Sequence, residues 1–279
     1  MLSESLGSAL ALDQRRFRLE IIVVDDGSTD DTAQLLAEFP TVRVMRTAGL
    51  GMVSARNTGL RAASGDFVML LDDDDVLTDR AINAQLEVFD QHPEFGAVHA
   101  RLQLTTVDLI PYGDPIPQAG KASGWILEDL LTYYPQVGTV LSRREVFEQL
   151  GGHNHRYEGD EEWDFFLRTA QRWQIGRCDD VVLYFRQRAE AEETQQWRRT
   201  RRSREIFHHA IADLPLAERL RLRPRLWAMR GNLAWQFTNF AKINLRNRQY
   251  RRALRSIAFA LAWSPIHTVV NVVRVSRGG

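Results

Sequence analysis

The chain has 279 residues, of which 44% are hydrophobic, and its formal net charge at pH 7 is zero. This is the composition of an ordinary globular protein with one full α/β core and an appendage. The single cysteine, Cys178, excludes an intramolecular disulfide framework, and no Cys/His group has zinc-site spacing. The first residues do not resemble a signal peptide, and no segment is long enough to span a bilayer. We therefore expect a cytoplasmic protein, either soluble or peripheral on the inner face of the membrane.

The charges are distributed unevenly along the chain. Trp197–Gly279 contains 18 Arg/Lys and 3 Asp/Glu, which leaves 18 basic and 33 acidic residues in the first 196. Such a split is typical of two regions with different partners, or of two faces that attract each other. Two interpretations stay open: a basic tail in packing or oligomer contacts, and a peripheral contact with an anionic membrane. We expect no nucleic-acid partner.

Short apolar runs alternate with helical patterns over the first hundred residues. This alternation is typical of a parallel sheet with crossover helices, and it predicts a doubly wound, mainly parallel α/β fold. The predicted strands are Leu19–Val24, Val42–Met45, Asp66–Leu71 and Phe95–Leu104, and the predicted helices are Asp30–Phe39, Met52–Ala63 and Thr78–Gln91.

The second half of the chain is predicted to be mixed. Thr105–Ser123 is a Pro/Gly-rich stretch that either covers a site or connects two elements. Further strands are predicted at Gln136–Ser142 and Val181–Arg186, and beyond Ala189 the pattern is helical and rich in arginine. We therefore expect a domain over residues 1–188 and a basic helical extension over residues 189–279.

The densest chemical signal is a run of four carboxylates, Asp72–Asp75, directly after a very apolar strand. In an open parallel sheet, ligands bind outside the carboxyl ends of strands. Oxygen-only ligands on a short turn suit Mg²⁺ or Mn²⁺, with phosphate oxygens and water completing the shell. Asp72 and Asp74 form an Asp-x-Asp pair. The alternative is a solvated acidic turn that caps the next helix.

A second acidic turn follows the first predicted strand. In VVDDGSTDD, the carboxylates of Asp25 and Asp26 come at the end of the strand, before a glycine and a helix. An aspartate here could accept hydrogen bonds from a base or a ribose. A turn with a helix N-cap explains Ser28, Thr29 and Asp30 well, but it explains the two aspartates less well.

Four blocks together give a more specific signal. IIVVDDGSTDDT, GLGMVSARNTGLRAASGDFVMLLDDDD, GTVLSRREVFEQLGG and GDEEWDFFLR resemble the family 2 glycosyltransferases in order and spacing. The similarity covers roughly residues 3–186. One block alone would be weak, but four blocks in the right order on an alternating α/β pattern are a strong indication.

The resemblance implies a GT-A fold and an inverting sugar transfer from a nucleotide-diphosphate sugar, most simply a UDP-sugar. The acceptor would be a glycan, a lipid-linked molecule or another hydroxyl compound. The metal ion, Mn²⁺ or Mg²⁺, would stabilise the leaving diphosphate. By this resemblance the metal is held by Asp72 and Asp74, and the donor contacts Asp25, Asp26, Arg56, Asn57, Asp72 and Asp73.

The last block places an acidic cluster at the start of a helix, where the family usually has Glu-Asp. The second acid of that pair resembles a general base that deprotonates the acceptor hydroxyl. In this chain that position is Glu162, one methylene longer than aspartate, and Asp160 is the second candidate. A helix-start acid that only caps the helix is the alternative.

The chain departs from the family at its beginning. Members usually open with an apolar strand that forms one wall of the nucleotide pocket, whereas residues 3–16 align with the helix that follows this strand. A misassigned start, a truncation and a loss of donor binding are the three explanations, and we expect the first. The missing strand and Glu162 also support an alternative function, a non-catalytic binding or scaffold protein that keeps the fold.

Overall fold

The structure, a computed structural model, describes residues 1–117, 123–132, 135–187, 202–246, 248 and 250–263. The described residues form two compact units. The first comprises Met1–Leu127 and Tyr134–Glu192, and the second comprises Glu128–Tyr133 and Glu193–Gly279. The domain boundary after residue 188 stays a prediction, because residues 188–201 lie outside the described part of the chain.

The first unit consists of two sheets with helices between the strands. Its helices are α1 (Leu2–Leu10), α2 (Thr32–Leu36), α3 (Met52–Ala62), α4 (Asn83–Gln91), α5 (Leu127–Leu130, whose last residues belong to the second unit), α6 (Arg144–Leu150) and α7 (Glu161–Ala170). Its strands are β1 (Ile22–Asp25), β2 (Arg43–Arg46), β3 (Phe67–Met69), β4 (Val76–Leu77), β5 (Phe95–Thr105), β6 (Val140–Arg143) and β7 (Gln174–Arg186).

The predicted α/β class is confirmed, but fewer strand pairs are parallel than the pattern indicates. β1 and β2 pair in parallel, and the five-stranded sheet has the order β3-β6-β5-β7-β4. In this sheet only β5 and β7 are parallel, and the other three described pairs are antiparallel. The prediction of a mainly parallel sheet is corrected here: β6, from the second half of the chain, inserts antiparallel between β3 and β5. A run of apolar residues marks a buried strand but carries no information about its direction.

β1 and β3, the two apolar strands that precede the acidic turns, lie in different sheets. Among the described strands, β1 pairs with β2 alone and β3 pairs with β6 alone. The apolar residues of both strands are only half-buried, although strands of this composition are normally buried on both faces. The expectation that a central strand is missing remains a prediction.

Helix α1 packs on both sheets and so helps to hold the first unit together. Leu6 is buried with Leu36 and Val42, beside β1 and β2. Ala9, one turn further, belongs to the main core with residues of β4, β5 and β7, and Ile21 contacts both clusters. This spacing of buried residues places one apolar face of the helix against the sheets.

The second unit is helical in its described part, as predicted for the extension. It contains α8 (residues 202–210), α9 (Leu216–Arg246) and α10 (Tyr250–Trp263). Ala234 and Phe237 of α9 form a small buried cluster with Ala260 of α10. Glu128 accepts hydrogen bonds from Arg221 and Arg225 of α9 in the same unit. In the described residues, no helix has the length and apolarity needed to cross a bilayer.

Candidate active site

The four aspartates after β3 have four different environments. Asp73 is exposed, Asp72 and Asp74 are half-buried, and Asp75 is buried. The Asp75 Oδ1 atom accepts a hydrogen bond from the backbone N–H of Arg186 at 3.1 Å, and burial raises the pKa of its carboxyl group to about 8. Asp75 therefore anchors the turn to β7.

Arg56, on α3, connects the aspartate turn with the start of α7. Its guanidinium group donates to Asp72 Oδ1 at 2.8 Å through Nη2. Through Nη1 it donates to Glu161 Oε1 at 2.8 Å and to Glu162 Oε1 at 2.9 Å. These residues lie up to 106 positions apart in the sequence. One buried arginine thus holds together two of the motif blocks that the sequence singled out.

The charges of this cluster lie in a largely buried environment. The Arg56 side chain is 10% exposed, and its three carboxylate partners are between 1% and 32% exposed. Burial opposes the charge on Arg56, but Glu162, Asp72 and Glu161 together raise the pKa of its guanidinium group above its usual value. Arg56 is thus one cation that three carboxylates share.

The acids at the start of α7 are buried at the edge of this cluster. Asp160 precedes the helix, and its side chain makes no capping hydrogen bond. Glu162 accepts a hydrogen bond from Arg56 and so belongs to the cluster. Asp160 is thus the N-cap residue of α7 by position, but its side chain does not cap the helix by a hydrogen bond. Of the two predicted candidates, Glu162 is the one that the fold brings into the Arg56 cluster.

Asn57 faces the interior and binds the turn before α7. Its Nδ2 donates to the carbonyl oxygen of His153 at 2.8 Å, and its Oδ1 accepts from the backbone N–H of His153 at 2.8 Å. Gly152 has φ +78°, and a Cβ there would lie 2.5 Å from Asn57 Oδ1, so this position requires glycine. The His153 ring is buried, and burial together with the charge of Arg56 lowers its pKa to about 4. Asn57 therefore positions the turn from inside the protein.

Asp25 and Asp26 organise the backbone around the first acidic turn. Asp25 Oδ1 accepts from the N–H of Ser28 at 2.8 Å, and Ser28 is the main cause of its lowered carboxyl pKa. Asp26 accepts from the Thr47 hydroxyl and from the N–H groups of Leu50 and Gly51 at 2.9 and 2.7 Å. These bonds lower the pKa of Asp26, with Thr47 as the first cause. Asp26 thus holds the loop that leads into α3.

The carboxylate oxygens of the aspartate turn are the type of ligand that a hard cation prefers. The turn alone does not supply a full set of ligands. The described residues contain no group of three or more His, Cys, Asp or Glu side chains placed to hold an ion. Mg²⁺ usually takes one or two carboxylates and completes its shell with water and substrate phosphates. Asp72 and Asp74 can supply those carboxylates once a diphosphate is present.

The structure therefore brings together Arg56, Asp72 and Glu162, and it leaves Asp25 and Asp26 at a separate turn. It also shows contacts that the sequence pattern did not single out. Glu161 shares Arg56 with its neighbour, and Gln136 Nε2 approaches Asp72 Oδ2 at 3.4 Å. Glu161 lies inside the acidic block and so had a signal in the sequence, whereas Gln136 lies just before the third block and has no chemical signal of its own.

Residues 1–151 match the sequence profile described as glycosyl transferase family 2. The chain belongs to this family. An uncharacterized glycosyltransferase of Haemophilus influenzae is 25% identical over 162 residues, which cover 57% of this chain and 54% of that protein. The chain matches between 48% and 63% of the length of the first three curated relatives.

Two solved structures share the fold. The mannosyltransferase PcManGT from Pyrobaculum calidifontis, in complex with GDP-Man and Mn²⁺, has a TM-score of 0.59 at 20% identity, over 97% of this chain and 83% of that one. S. aureus TarS 1-349, in complex with UDP-GlcNAc, has a TM-score of 0.55 at 15% identity, over 94% and 87%. These similarities confirm the GT-A fold.

Proposed function

We propose that this protein transfers a sugar from a nucleotide-diphosphate sugar to an acceptor hydroxyl, with inversion and with the help of a divalent metal. The observation that carries the proposal is the Arg56 cluster. One buried guanidinium group joins the Asp-x-Asp turn, through Asp72, to the acids at the start of α7. Family membership supports the reaction class, and the two structural relatives in complex with UDP-GlcNAc and GDP-Man support a nucleotide-sugar donor.

In this proposal the donor diphosphate lies over the aspartate turn. Asp72 and Asp74 would hold Mn²⁺ or Mg²⁺, which would supply positive charge to offset the charge that builds on the leaving diphosphate. Arg56 keeps the Asp72 carboxylate in place and offsets part of the local negative charge. The exposed Asp73 and the loop held by Asp26 would contact the donor. Asp25 and Asn57 would support the donor site indirectly, through their hydrogen bonds to Ser28 and His153.

Glu162 is the proposed general base. Its carboxylate removes the proton from the acceptor hydroxyl while the acceptor oxygen bonds to the anomeric carbon and the bond from that carbon to the diphosphate breaks. The proton ends on Glu162 and the electron pair on the leaving nucleotide diphosphate. Asp160, buried at the same helix end, is the second candidate. A glycan, a lipid-linked molecule or another hydroxyl compound would serve as the acceptor.

The test compares the protein with two variants over a panel of UDP- and GDP-sugars, with and without Mn²⁺ or Mg²⁺. Hydrolysis and transfer are measured by release of nucleoside diphosphate. We expect metal-dependent turnover that is lost in Asp74→Ala and reduced about 10² to 10⁴-fold in Glu162→Gln. Glu148→Gln, an exposed acid on α6, is the matched control and should keep full activity. Equal turnover in all four proteins would contradict the assigned residues.

A non-catalytic binding protein is the second candidate. It is favoured by Glu162, which stands where members of the family usually have aspartate. Calorimetry separates the two functions: binding of a nucleotide-sugar without turnover, in protein whose circular dichroism shows a folded α/β chain, would support the second. Turnover would exclude it.

A further inference from the structure

Helix α10 packs against α9 with a face made of small residues. Ala253, Ser256 and Ala260 are fully buried, and Ala260 contacts the cluster formed by Ala234 and Phe237 of α9. These three positions of α10 are three and four residues apart, which puts them on one side of the helix. The exposed residues of α10 lie on its other sides.

A different side of α10 exposes large apolar side chains. Tyr250 is 61% exposed, Leu254 is 67% exposed and Leu261 is 41% exposed. At about 100° per residue, these three side chains fall within roughly 40° of one another around the helix axis. They form an apolar stripe, defined here as Tyr250, Leu254 and Leu261. Single exposed leucines are common, but an aligned stripe on one helix indicates a binding surface.

Arginines lie beside the apolar stripe, and acidic residues are absent from this part of the sequence. Arg251 and Arg255 are exposed on the adjoining side of α10. Glu218 is the last acidic residue of the chain, and residues 219–279 contain 13 Arg/Lys and no Asp/Glu. The positive charge of this surface attracts a polyanion. Because of the apolar stripe, the partner must also offer an apolar medium.

We propose that α10 docks on an anionic lipid surface, with its axis parallel to the membrane plane. The helix has 14 residues and is therefore about 21 Å long, too short to span the hydrocarbon core. The apolar stripe would enter the boundary between head groups and acyl chains, and Arg251 and Arg255 would stay among the lipid phosphates. A nucleic acid offers phosphates but gives exposed leucines no apolar medium, so the lipid surface fits both features.

The test measures flotation of the full chain with two kinds of vesicle, phosphatidylcholine alone and phosphatidylcholine with phosphatidylglycerol. We expect binding only to the anionic vesicles, and weaker binding as NaCl rises. The double variant Arg251→Gln/Arg255→Gln should weaken binding about 25-fold, and Arg251→Lys/Arg255→Lys should restore it. Leu254→Gln/Leu261→Gln should weaken binding at least about tenfold.

Matched controls are Leu220→Gln, an exposed leucine on α9, and Arg15→Gln, an exposed arginine in the first unit. Both should bind as the unmodified chain does, and circular dichroism checks that every variant keeps its helices. The proposal is overturned if neither vesicle is bound, if neutral vesicles bind equally, or if both α10 double variants bind normally.

Two further outcomes would identify another occupant and also overturn the lipid proposal. In the first, a duplex DNA fragment is bound in place of vesicles, with a loss in the arginine variant alone. In the second, sedimentation shows a dimer that the leucine variant abolishes, and vesicles are not bound. Sugar transfer to a soluble acceptor is measured separately, so failure of membrane docking and failure of the proposed transferase activity can be told apart.

Discussion

Replacing Arg56 by methionine tests the centre of the candidate site. Methionine keeps most of the length and the apolar stem of arginine but removes the guanidinium group. The change leaves Asp72, Glu161 and Glu162 without the cation that they share. Glu161 is the most buried of the three, with a side chain only 1% exposed. A buried carboxylate that loses its partner cannot recover the full hydration of an exposed one.

The burial of these carboxylates determines how much stability the variant should lose. Removing one partner of a buried ion pair typically destabilises a protein by about 3 to 5 kcal/mol. For a unit of this size the melting temperature should fall by about 6 to 20 °C. The loss should be smaller in acidic buffer, because protonation of the uncompensated carboxylates removes their mutual repulsion. Adding Glu161→Gln to Arg56→Met should recover part of the loss, since it removes the most buried unpaired charge.

The measurement is urea unfolding of the two single variants and the double variant, followed by tryptophan fluorescence. Arg15→Met is the matched control: its guanidinium group pairs with Asp13 on the surface and is 88% exposed, so its removal should leave the free energy of unfolding unchanged within error. If Arg56→Met loses less than about 1 kcal/mol and Glu161→Gln brings no recovery, Arg56 does not hold the motif blocks together.

Three further changes test the surrounding contacts. Asn57→Ala should lower the free energy of unfolding by about 2 to 4 kcal/mol, measured in urea, because it leaves two buried backbone groups of His153 without partners. The folded-state pKa of His153 is about 4 and its ordinary value is 6.5, so the unfolded chain takes up the proton first as the pH falls. This residue should therefore remove about 3 kcal/mol of stability between pH 6.5 and pH 4, a slope that His153→Phe should lack. Glu162→Gln should lower kcat with little effect on nucleotide-sugar affinity in calorimetry, and an unchanged kcat would shift the base assignment to Asp160.

The strands that precede the acidic turns were predictable because their composition is extreme. The predicted strand Asp66–Leu71 contains β3 (Phe67–Met69), and Phe95–Leu104 ends one residue before β5 does. Boundaries at helix starts were less accurate: the helix predicted from Thr78 begins at Asn83. A turn occupies the intervening residues, directly after the short strand β4. Val76 and Leu77 of β4 pair with β7, which lies about a hundred positions away. Local patterns contain no information on such a partner.

For the acidic residues of the site, too, the sequence predicted some features and not others. Their type and spacing identified the aspartate turn and the acids of α7. Their individual environments were not predictable: Asp75 is buried against β7 while its neighbour Asp73 is exposed. Asn57 was expected to line the donor pocket, and the structure places its amide against the backbone of His153. Which way a side chain faces on a short helix depends on what packs against that helix.

The sequence by itself determined the family, the order of its motif blocks, the α/β class and the uneven distribution of charge, because each depends on residue type and spacing along the chain. Only the tertiary structure decided the direction of β6, the burial of Asp75 and the choice of Arg56 as the common partner of Asp72, Glu161 and Glu162. The physical reason is that these features depend on contacts between residues up to 111 positions apart, which are set by the packing of the whole first unit.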